Sequence, residues 1–427
     1  MNTGLLLFLL LCVLMFLGIP IAVSLCMSTV IVMMFCLDVN MMSFPQKLFA
    51  GADSFPLMAV IFFMIAGELM LQGGISKRLI NVAKLFLSKV RGSMALISFV
   101  ACAFFGALSG SALATTAAIG GIMYPEMQED GTYEDSFSMT VQAVGGTLGP
   151  MIPPSIPLIL FGMVASCSVG ALFAATIVPG IIICGAYCIC GYAIMKKRNM
   201  GTRRYPRPEQ KPGEKNVFLD ALWALLTPVI ILGGIYSGVF SPTESAAVAC
   251  VYALIVGAFV YKELTISKIY NALFNAMKSS VAVMFLCTCA TFFGWLLTYL
   301  GTTNDIINFL TSAISNKYIM FIIIDLIVLV AGMFVDGGTI ILIVGPLVCP
   351  ATAALGIDPI HLGVVFCIGI AVGNITPPFG ACLFVANSLD KRIKVQKLFR
   401  EVLPFCAVAT LVVVILSFLE PVCTLFA

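Results

Sequence analysis

The sequence predicts an all-α polytopic membrane protein with two related halves, and three observations lead to that fold class. Of its 427 residues, 61% are hydrophobic and only 10% are charged, whereas soluble domains carry about 25% charged residues. The apolar residues form many long segments, and about 20 such residues suffice for a membrane-spanning helix. A set of short motifs also recurs in the second half. The length leaves no room for a soluble domain, so any recognition must occur within the lipid bilayer or at its edge.

The apolar segments, taken in order, define the predicted helices. The first runs from Leu5 to Leu37 and is interrupted at Pro20. Because proline removes a backbone donor, we expect two helices that meet near Gly18. The run has no basic n-region or cleavage site and is too long for a signal peptide. Further segments follow at about 56–75, 94–123, 137–165, 169–195, 217–239, 245–261, 278–300, 318–349, 360–387 and 401–426.

One polar linker, 196–216, separates the two halves. It contains eight Lys and Arg residues and two Glu residues. The positive-inside rule therefore places it in the cytoplasm. The net charge of +3 comes from a few loops of this kind, so a nucleic-acid partner is not indicated. The 16 cysteines lie mostly in apolar runs, and with a single histidine they do not predict a metal site.

An internal repeat relates the two halves at an offset of about 225 residues. Its clearest match pairs Gly149 and Pro153-Pro154 with Gly373 and Pro377-Pro378, at a constant offset of 224 residues. Two related halves are typical of secondary transporters, which bind substrate and ions at the interface between the repeats. An ancient duplication in a purely structural membrane protein is the alternative.

Each half has two stretches that make poor helices. They are 109–121 and 145–157 in the first half, and 336–339 and 373–378 in the second. The paired prolines free upstream carbonyl oxygens, which are costly in lipid unless something binds them. Sodium prefers oxygen ligands, and the hydroxyls of Ser109, Ser111 and Thr376 add further oxygens. The alternative is that Gly, Ser and Thr permit close helix packing.

Few ionisable residues lie in the apolar segments. Asp336, next to two glycines, is the better candidate for a binding site, whereas Asp325 either pairs with another helix or has a function. Both are too costly to face lipid. Glu68 is interpreted as an interfacial residue near the end of its span, and Glu244 as a residue of a helix N-terminus.

Two other classes of function are weighed against transport. Ser109 in Gly-Ala-Leu-Ser-Gly resembles the serine of an intramembrane protease, but such an enzyme needs a histidine base and His361 has no supporting spacing. A passive channel predicts a polar ring along a pore, whereas this chain has segments interrupted by glycine. We therefore expect a transporter and no enzymatic activity.

The motifs FFGALSGSALATTAAIGGIMYP, GTLGPMIPPSIP, GVFSPTESAAVA, GIDPIHLG and GNITPPFG together resemble the large membrane subunit of the tripartite ATP-independent periplasmic (TRAP) transporters. The resemblance covers essentially the whole chain. It implies a multi-pass protein of the bacterial inner membrane that imports organic acids by an elevator mechanism. It also implies two partners, a small four-helix membrane subunit and a periplasmic substrate-binding protein. No cofactor is implied beyond Na⁺ as the coupling ion.

The resemblance also implies an organisation and a set of sites. Two inverted repeats, 56–165 and 278–387, would each contain a broken helix and a re-entrant hairpin, near 94–123 and 321–350, and form the moving core. Segments 1–55 and 166–277 would form the scaffold, and 388–427 the C-terminal helix. Implied sodium ligands are Ser109, Ser111, Gly149, Ile152 and Pro154 in the first half, and Gly337, Gly373, Thr376 and Pro378 in the second. Expected substrate contacts are Asp336, Thr339, Asn374 and Phe379.

Two of these positions differ from the family pattern. Asn374 precedes Ile-Thr-Pro-Pro where an aliphatic residue is usual, and Phe379 follows it where valine is usual. Both are expected to face the substrate. The sequence thus predicts a sodium-coupled importer of C4-dicarboxylates or sialic-acid-like carboxylates. The alternative is a stand-alone ion-coupled carboxylate or anion permease without a binding protein.

Overall fold

The computed structural model describes residues 3–203, 217–314 and 316–426, in which the regular secondary structure is helical and there is no β-strand. The helices up to residue 203 are α1 (Thr3–Phe16), α2 (Ile21–Cys36), α3 (Ser43–Ala52), α4 (Phe55–Gln72), α5 (Ile75–Leu87), α6 (Ser93–Ser109), α7 (Ala112–Asp130), α8 (Asp135–Gly146), α9 (Leu148–Met151), α10 (Ile156–Ala165) and α11 (Val169–Lys197).

The helices after residue 216 are α12 (Val217–Tyr236), α13 (Pro242–Ile255) with a π-helical turn (Val256–Val260), α14 (Ile266–Tyr299), α15 (Thr302–Ala313), α16 (Lys317–Phe334), α17 (Gly337–Ala354), α18 (Pro359–Gly373), α19 (Ala381–Leu389), α20 (Val395–Phe418) and α21 (Glu420–Cys423). Within the described ranges, eight helices are long and apolar enough to cross a membrane, or nine if the bent α8–α10 pair counts as one. The all-α membrane fold is thereby confirmed, as is the helix break before Pro20.

Each half of the chain contains a helical hairpin followed by a broken helix. Hairpin 1 is α6 and α7, with its tip at Gly110 and Ser111; hairpin 2 is α16 and α17, with its tip at Val335 and Asp336. Broken helix 1 runs from α8 to α10 and bends by 41° across the break at 152–155. Broken helix 2 consists of α18 and α19, with its break at 374–380.

The two halves exchange packing partners. The last segment of broken helix 1, α10, packs against α17 of hairpin 2. In the same way, α19 of broken helix 2 packs against α7 of hairpin 1. Helices α11 and α20 complete the unit that these hairpins and broken helices form. Within it, Phe99, Tyr187 and Phe405 form an aromatic cluster with ring centroids 5.9–6.3 Å apart. We call the unit formed by α6–α11 and α16–α21 the hairpin bundle.

Glycine pairs allow each hairpin to cross its own broken helix closely. A Cβ atom added at Gly106 of α6 would lie 2.7 Å from Cα of Gly149. At the repeat-related crossing, a Cβ added at Gly332 of α16 would lie 2.9 Å from Cα of Gly373. Backbones that approach so closely exclude any side chain. The position of each hairpin relative to its break is therefore fixed by backbone contact.

A second group of helices packs around the hairpin bundle. Helices α1–α4 and α12–α14 pack mainly against one another, and we call them the outer group. Two helices of about three turns, α5 and α15, join the groups: α5 packs on α12 and α6, and α15 packs on α14 and α17. Helix α11 packs chiefly on α6, α18 and α20, although the sequence assigned it to segment 166–277. The division into scaffold and moving core stays a prediction.

Charged side chains are concentrated near the helix ends. Arg78 of α5 contacts Asp220 at 2.9 Å and Glu263 at 2.7 Å, which ties α5 to the outer group. Arg198, at the end of α11, contacts Glu401 of α20 at 2.7 Å. The basic linker predicted at 196–216 continues beyond Arg198, but 204–216 lie outside the described residues.

Candidate functional site

The tip of hairpin 1 is a cluster of hydroxyl groups. Gly110 has a φ of +60°, a conformation that favours glycine, and it separates Ser109 at the end of α6 from Ser111 at the start of α7. Ser111 Oγ accepts from Ala114 N at 3.4 Å. The Ser109 hydroxyl lies 3.0 Å from Thr115 Oγ1, which donates to Ser111 O at 2.7 Å. Thr115 is a member of this cluster that the sequence did not reveal.

Broken helix 1 presents backbone oxygens to this tip. In a continuous helix, the N–H groups of residues 153 and 154 would serve the carbonyls of Gly149 and Pro150, but both residues are prolines. Ser155 Oγ donates to Pro150 O at 2.6 Å in compensation, while Gly149 O loses its helical donor. The tip is held to the break by a bond of 3.4 Å from Ile156 N to Gly110 O.

Several oxygens converge between tip and break. A Cβ built on Gly149 would lie 2.6 Å from Ser111 O and 2.7 Å from Thr115 Oγ1. A Cβ built on Gly110 would lie 2.8 Å from Pro154 O. Ile152 follows α9 in the same break, where its N–H donates to Leu148 O. Ser111 O, Thr115 Oγ1 and Pro154 O thus lie where the tip and the break meet, and oxygen atoms are the ligands that a hard cation prefers.

Broken helix 2 satisfies its freed carbonyls locally. Pro377 and Pro378 leave Gly373 O and Asn374 O without helical donors, but Thr376 N donates to Gly373 O at 2.9 Å and Cys382 N donates to Asn374 O at 3.0 Å. The Thr376 hydroxyl donates back to Val372 O at 2.9 Å. The oxygens of the second break are therefore more fully engaged within the protein than those of the first.

Asp336 forms the tip of hairpin 2. Its Oδ2 accepts from Gly338 N at 3.1 Å, which caps the N-terminus of α17. Gly337 is the first residue of α17. Thr339 is buried at 3% exposure. The capping carboxylate occupies the positive end of α17, since a helix N-terminus favours negative charge.

A cavity of about 450 Å³ lies between the two hairpin tips and the outer group. Of the predicted site residues, Ser111, Asp336, Gly337 and Asn374 line it. Ser109 lines a smaller adjoining cavity of about 80 Å³ that also contains Ser111. The remaining lining residues are Met64 and Glu68 of α4, Ser279, Val283 and Leu286 of α14, and Gly110, Ala112, Leu113, Ala114, Pro150, Ile156, Pro157, Leu160, Gly338 and Ile370.

Five predicted positions of the second half do not line this cavity: Thr339, Gly373, Thr376, Pro378 and Phe379. Gly373 is packed against Gly332, and Thr376 is turned toward α18 and α20. Pro378 and Phe379 are exposed, and the ring of Phe379 contacts Phe334 at a centroid distance of 5.6 Å. Phe379 is therefore outside the cavity in this conformation, although Asn374, which lies five residues earlier in the same motif, lines it.

The cavity combines two kinds of electrostatic feature. The N-termini of α7, α10 and α17 contribute lining residues, so positive helix ends face it. The ionisable lining residues are Glu68 and Asp336, and no described Lys, Arg or His lines it. Asn374 is 6% exposed, and its Oδ1 has no hydrogen-bond partner. The cavity therefore combines positive helix ends with two carboxyl groups and an amide whose oxygen has no partner.

The other ionisable candidates have separate roles. Glu68, interpreted as interfacial, lies at the cavity instead. Glu244 forms a capping box with Ser241 at the start of α13, as its position in the sequence predicted. Asp325 pairs with Ser417 of α20 at 2.7 Å. His361 Nε2 lies 2.9 Å from Leu416 O, whereas Ser109 is bonded to Thr115, so the two do not form a catalytic pair.

Three curated relatives match most of the chain. It is 36% identical over 410 residues to the isethionate TRAP transporter permease protein DctMQ of Oleidesulfovibrio alaskensis, covering 96% of this chain and 64% of that protein. It is 34% identical to the sialic acid TRAP transporter large permease protein SiaM of Vibrio cholerae, covering 92% and 90% of the two chains. It is 34% identical to the C4-dicarboxylate TRAP transporter large permease protein DctM of Rhodobacter capsulatus, covering 91% of each.

Solved structures share the fold at low sequence identity. The YdaH transporter of Alcanivorax borkumensis matches with a TM-score of 0.64 and 16% identity over 87% of each chain. MtrF of Neisseria gonorrhoeae matches with a TM-score of 0.65 and 14% identity, covering 98% of this chain and 95% of that chain. Both matches concern the fold alone.

The family model for the tripartite ATP-independent periplasmic transporter, DctM component, matches residues 8–422. The relatives are transporter permeases rather than enzymes. With hairpins, broken helices and a cavity between their tips, the chain belongs to the DctM component family of the tripartite ATP-independent periplasmic (TRAP) transporters, as a multi-pass large permease.

Proposed function

We propose that this TRAP large permease is a sodium-coupled importer of small organic acids. The observation that carries the proposal is the cavity between the two hairpin tips, which is lined by residues of three helix N-termini and by Asn374, whose Oδ1 has no hydrogen-bond partner. An anion and cations bound next to each other neutralise one another's charge, which makes their joint passage through the bilayer less costly.

The proposed substrate is a C4-dicarboxylate or a sialic-acid-like carboxylate. The names of the relatives support this class, because isethionate, sialic acid and C4-dicarboxylates are all small organic anions. The carboxylate would bind at the N-terminus of α7, since Asp336 already occupies the end of α17. At the start of α10, Ile156 N is bonded to Gly110 O and Pro157 has no N–H. Asn374 and Asp336 are the proposed contacts within the cavity, whereas Thr339 and Phe379 would contribute after a change of conformation.

Two sodium sites are proposed at the two breaks. The first uses Ser109, Ser111 and Thr115 with the carbonyls of Gly149, Ile152 and Pro154, and the converging oxygens at this break support it. The second uses Gly337, Gly373, Thr376 and Pro378. A carbonyl oxygen has two lone pairs, so the engaged carbonyl of Gly373 remains able to bind a cation.

Replacing Ser109 or Thr376 with alanine is expected to raise the sodium concentration for half-maximal uptake. The loss of one ligand worth about 1.4 kcal/mol would raise it about tenfold. Uptake of succinate, N-acetylneuraminate and isethionate by proteoliposomes at a series of sodium concentrations measures the effect. Matched controls are Ser98→Ala, on the same helix as Ser109, and Thr352→Ala, whose hydroxyl also donates to a carbonyl four residues earlier. Sodium dependence unchanged in both test variants would refute the assignment.

The proposed partners are a small four-helix membrane subunit and a periplasmic substrate-binding protein that delivers the acid. Membership of the family supports this arrangement. The alternative is a stand-alone permease, and it predicts that the reconstituted chain transports free substrate without either partner. Uptake measured with and without a binding protein encoded next to this chain separates the two.

The proposed location is the bacterial inner membrane, with the linker 196–216 in the cytoplasm. A cysteine introduced into this linker, in a cysteine-less background, is expected to resist membrane-impermeant thiol reagents added to intact cells, because the linker's eight basic residues favour the inner side. A cysteine placed on the opposite side of the membrane is the positive control. Ready labelling of the linker from outside would reverse the proposed topology.

An elevator mechanism is proposed for the conformational cycle, with the hairpin bundle moving against the outer group. The cavity supports this, because α4 and α14 of the outer group close one side of it and the hairpin tips close the other. Helices α5 and α15, which contact both groups, are the proposed connecting elements.

A further inference from the structure

Asp325 is a carboxyl group buried away from the proposed transport site. It lies on α16, the first arm of hairpin 2, eight residues after Lys317 at the start of that helix, a rise of about 12 Å. Its exposed fraction is 7%. Helix α16 packs against α17, α18 and α20, so the carboxyl group is enclosed by the hairpin bundle. An acidic side chain in such a position must have its charge compensated or carry a proton.

No described cation compensates a charge on Asp325. Lys317 on the same helix contacts Glu420 at 3.5 Å. On α18, His361 Nε2 lies 2.9 Å from Leu416 O, and because a carbonyl only accepts, this nitrogen carries the hydrogen of that bond. The other ionisable side chains of α17 and α18 are Cys349 and Cys367. On α20, the last charged residue is Glu401, which lies 16 residues before Ser417. In the described part of the chain, Asp325 forms no ion pair.

The contacts of Ser417 indicate where a proton is. Ser417 Oγ lies 2.7 Å from Asp325 Oδ2 and 3.0 Å from Val413 O. A serine hydroxyl has one hydrogen, so it cannot donate along both contacts at once if Asp325 is ionised. If Asp325 Oδ2 carries a proton, that O–H donates to Ser417 Oγ, and the serine donates to Val413 O. Both distances are then ordinary hydrogen bonds.

The second carboxyl oxygen agrees with the neutral form. Asp325 Oδ1 is buried and has no hydrogen-bond partner. Burying an ionised carboxylate costs much free energy when one of its two oxygens has no hydrogen-bond donor. Burying the carbonyl oxygen of a neutral acid without a donor costs far less. The geometry therefore favours a proton on Oδ2.

We propose that Asp325 is a proton-binding site, occupied at neutral pH, whose proton forms the bond between hairpin 2 and α20. Both elements belong to the hairpin bundle, so the bond does not cross the boundary with the outer group. The proton remains bound while the bundle moves and is not a coupling ion. This inference depends on the contacts of Asp325 alone and holds whether or not the proposed sodium sites do.

Infrared spectroscopy tests the protonation state directly. The spectrum of the purified full-length protein at neutral pH, minus that of Asp325→Asn, should show the C=O stretch of a protonated carboxylic acid, and the band should shift on exchange into deuterated water. The matched control is Asp305→Asn, which changes an exposed aspartate of α15 and should remove carboxylate bands instead. Carboxylate bands in the Asp325→Asn difference spectrum would overturn the proposal.

Thermal stability provides a second readout that does not depend on infrared assignment. Ser417→Ala leaves the Asp325 O–H without its acceptor and should lower the Tm by several degrees, since an unsatisfied buried donor is destabilising. In the Asp325→Leu background, which has no such donor, Ser417→Ala should have a much smaller effect. An equal loss of Tm in both backgrounds would show that Asp325 donates no hydrogen bond to Ser417 and would overturn the proposal.

Discussion

Replacing Gly149 with alanine is expected to reduce sodium-dependent uptake by about 100-fold, because displacement of binding groups by about 1 Å is enough for a loss of this size. The added Cβ would lie 2.6 Å from Ser111 O and 2.7 Å from Thr115 Oγ1. Both atoms belong to the tip of hairpin 1, so the tip must move away from broken helix 1. The oxygens proposed to bind sodium are then separated from one another.

The matched control is Gly121→Ala on α7, where an added Cβ meets no atom within 4 Å. This variant should transport normally, since alanine is the better helix former. Because overpacking costs about 1–3 kcal/mol, the Tm of Gly149→Ala must be measured with its uptake. Thr115→Ala removes a hydroxyl without adding volume and should raise the sodium requirement even if Gly149→Ala folds poorly. Normal sodium dependence in Thr115→Ala and in a folded Gly149→Ala would exclude this break as a sodium site.

An inside-negative membrane potential is expected to raise the accumulation of a monoanionic substrate about 50-fold per 100 mV if two sodium ions accompany it. Each sodium ion gains about 2.3 kcal/mol from 100 mV and about 1.4 kcal/mol from a tenfold gradient. Two ions therefore supply about 7 kcal/mol, and the entering monoanion consumes about 2.3 kcal/mol of this. The remainder supports more than about a thousandfold accumulation.

A dianion gives a different result. Two sodium ions and a dianion carry no net charge, so the potential has no effect on accumulation, and only the sodium gradients, worth about 2.8 kcal/mol in total, remain. The lining of the cavity, with two carboxyl groups and no described basic side chain, also disfavours a second negative charge unless a third cation enters. The measurement is accumulation of isethionate and of succinate in proteoliposomes at several imposed potentials. Failure of the potential to stimulate isethionate uptake, in vesicles that do accumulate it with sodium, would rule out coupling to two ions.

The interruptions of the helices were predictable from the sequence because their cause is local. Two adjacent prolines cannot donate backbone hydrogen bonds, so the breaks after α9 and α18 follow from Pro153-Pro154 and Pro377-Pro378 alone. The hairpin tip at Gly110 is similar, since Ser-Gly-Ser combines a helix end with a helix cap. The spans themselves follow from uninterrupted apolar composition.

The contacts across the cavity were not predictable in this way. Glu68 has the position of an interfacial residue in the sequence, yet the packing of α4 against α6 and α10 brings it to the hairpin tips. Thr115 lies in 109–121, which the sequence predicts to be a poor helix, yet the residues from Ala112 onward form α7. The turn at Gly110 brings the Thr115 hydroxyl to Ser109. Phe379 belongs to the same motif as Asn374, which lines the cavity, but its ring contacts Phe334 and lies outside the cavity. Each of these contacts depends on how helices from different parts of the chain pack together, and a single sequence does not show that packing.

The exchange of packing partners between the two halves has a consequence for how such a chain can arise. Since α10 packs on α17 and α19 on α7, a polypeptide with only one hairpin and one broken helix would lack the helix partner of each. A half-length ancestor would therefore have formed these contacts only as a pair of identical chains. A fusion of two such genes would keep the contacts of that dimer and would free each copy to change on its own; the present chain has a hydroxyl cluster at one tip and a carboxylate at the other.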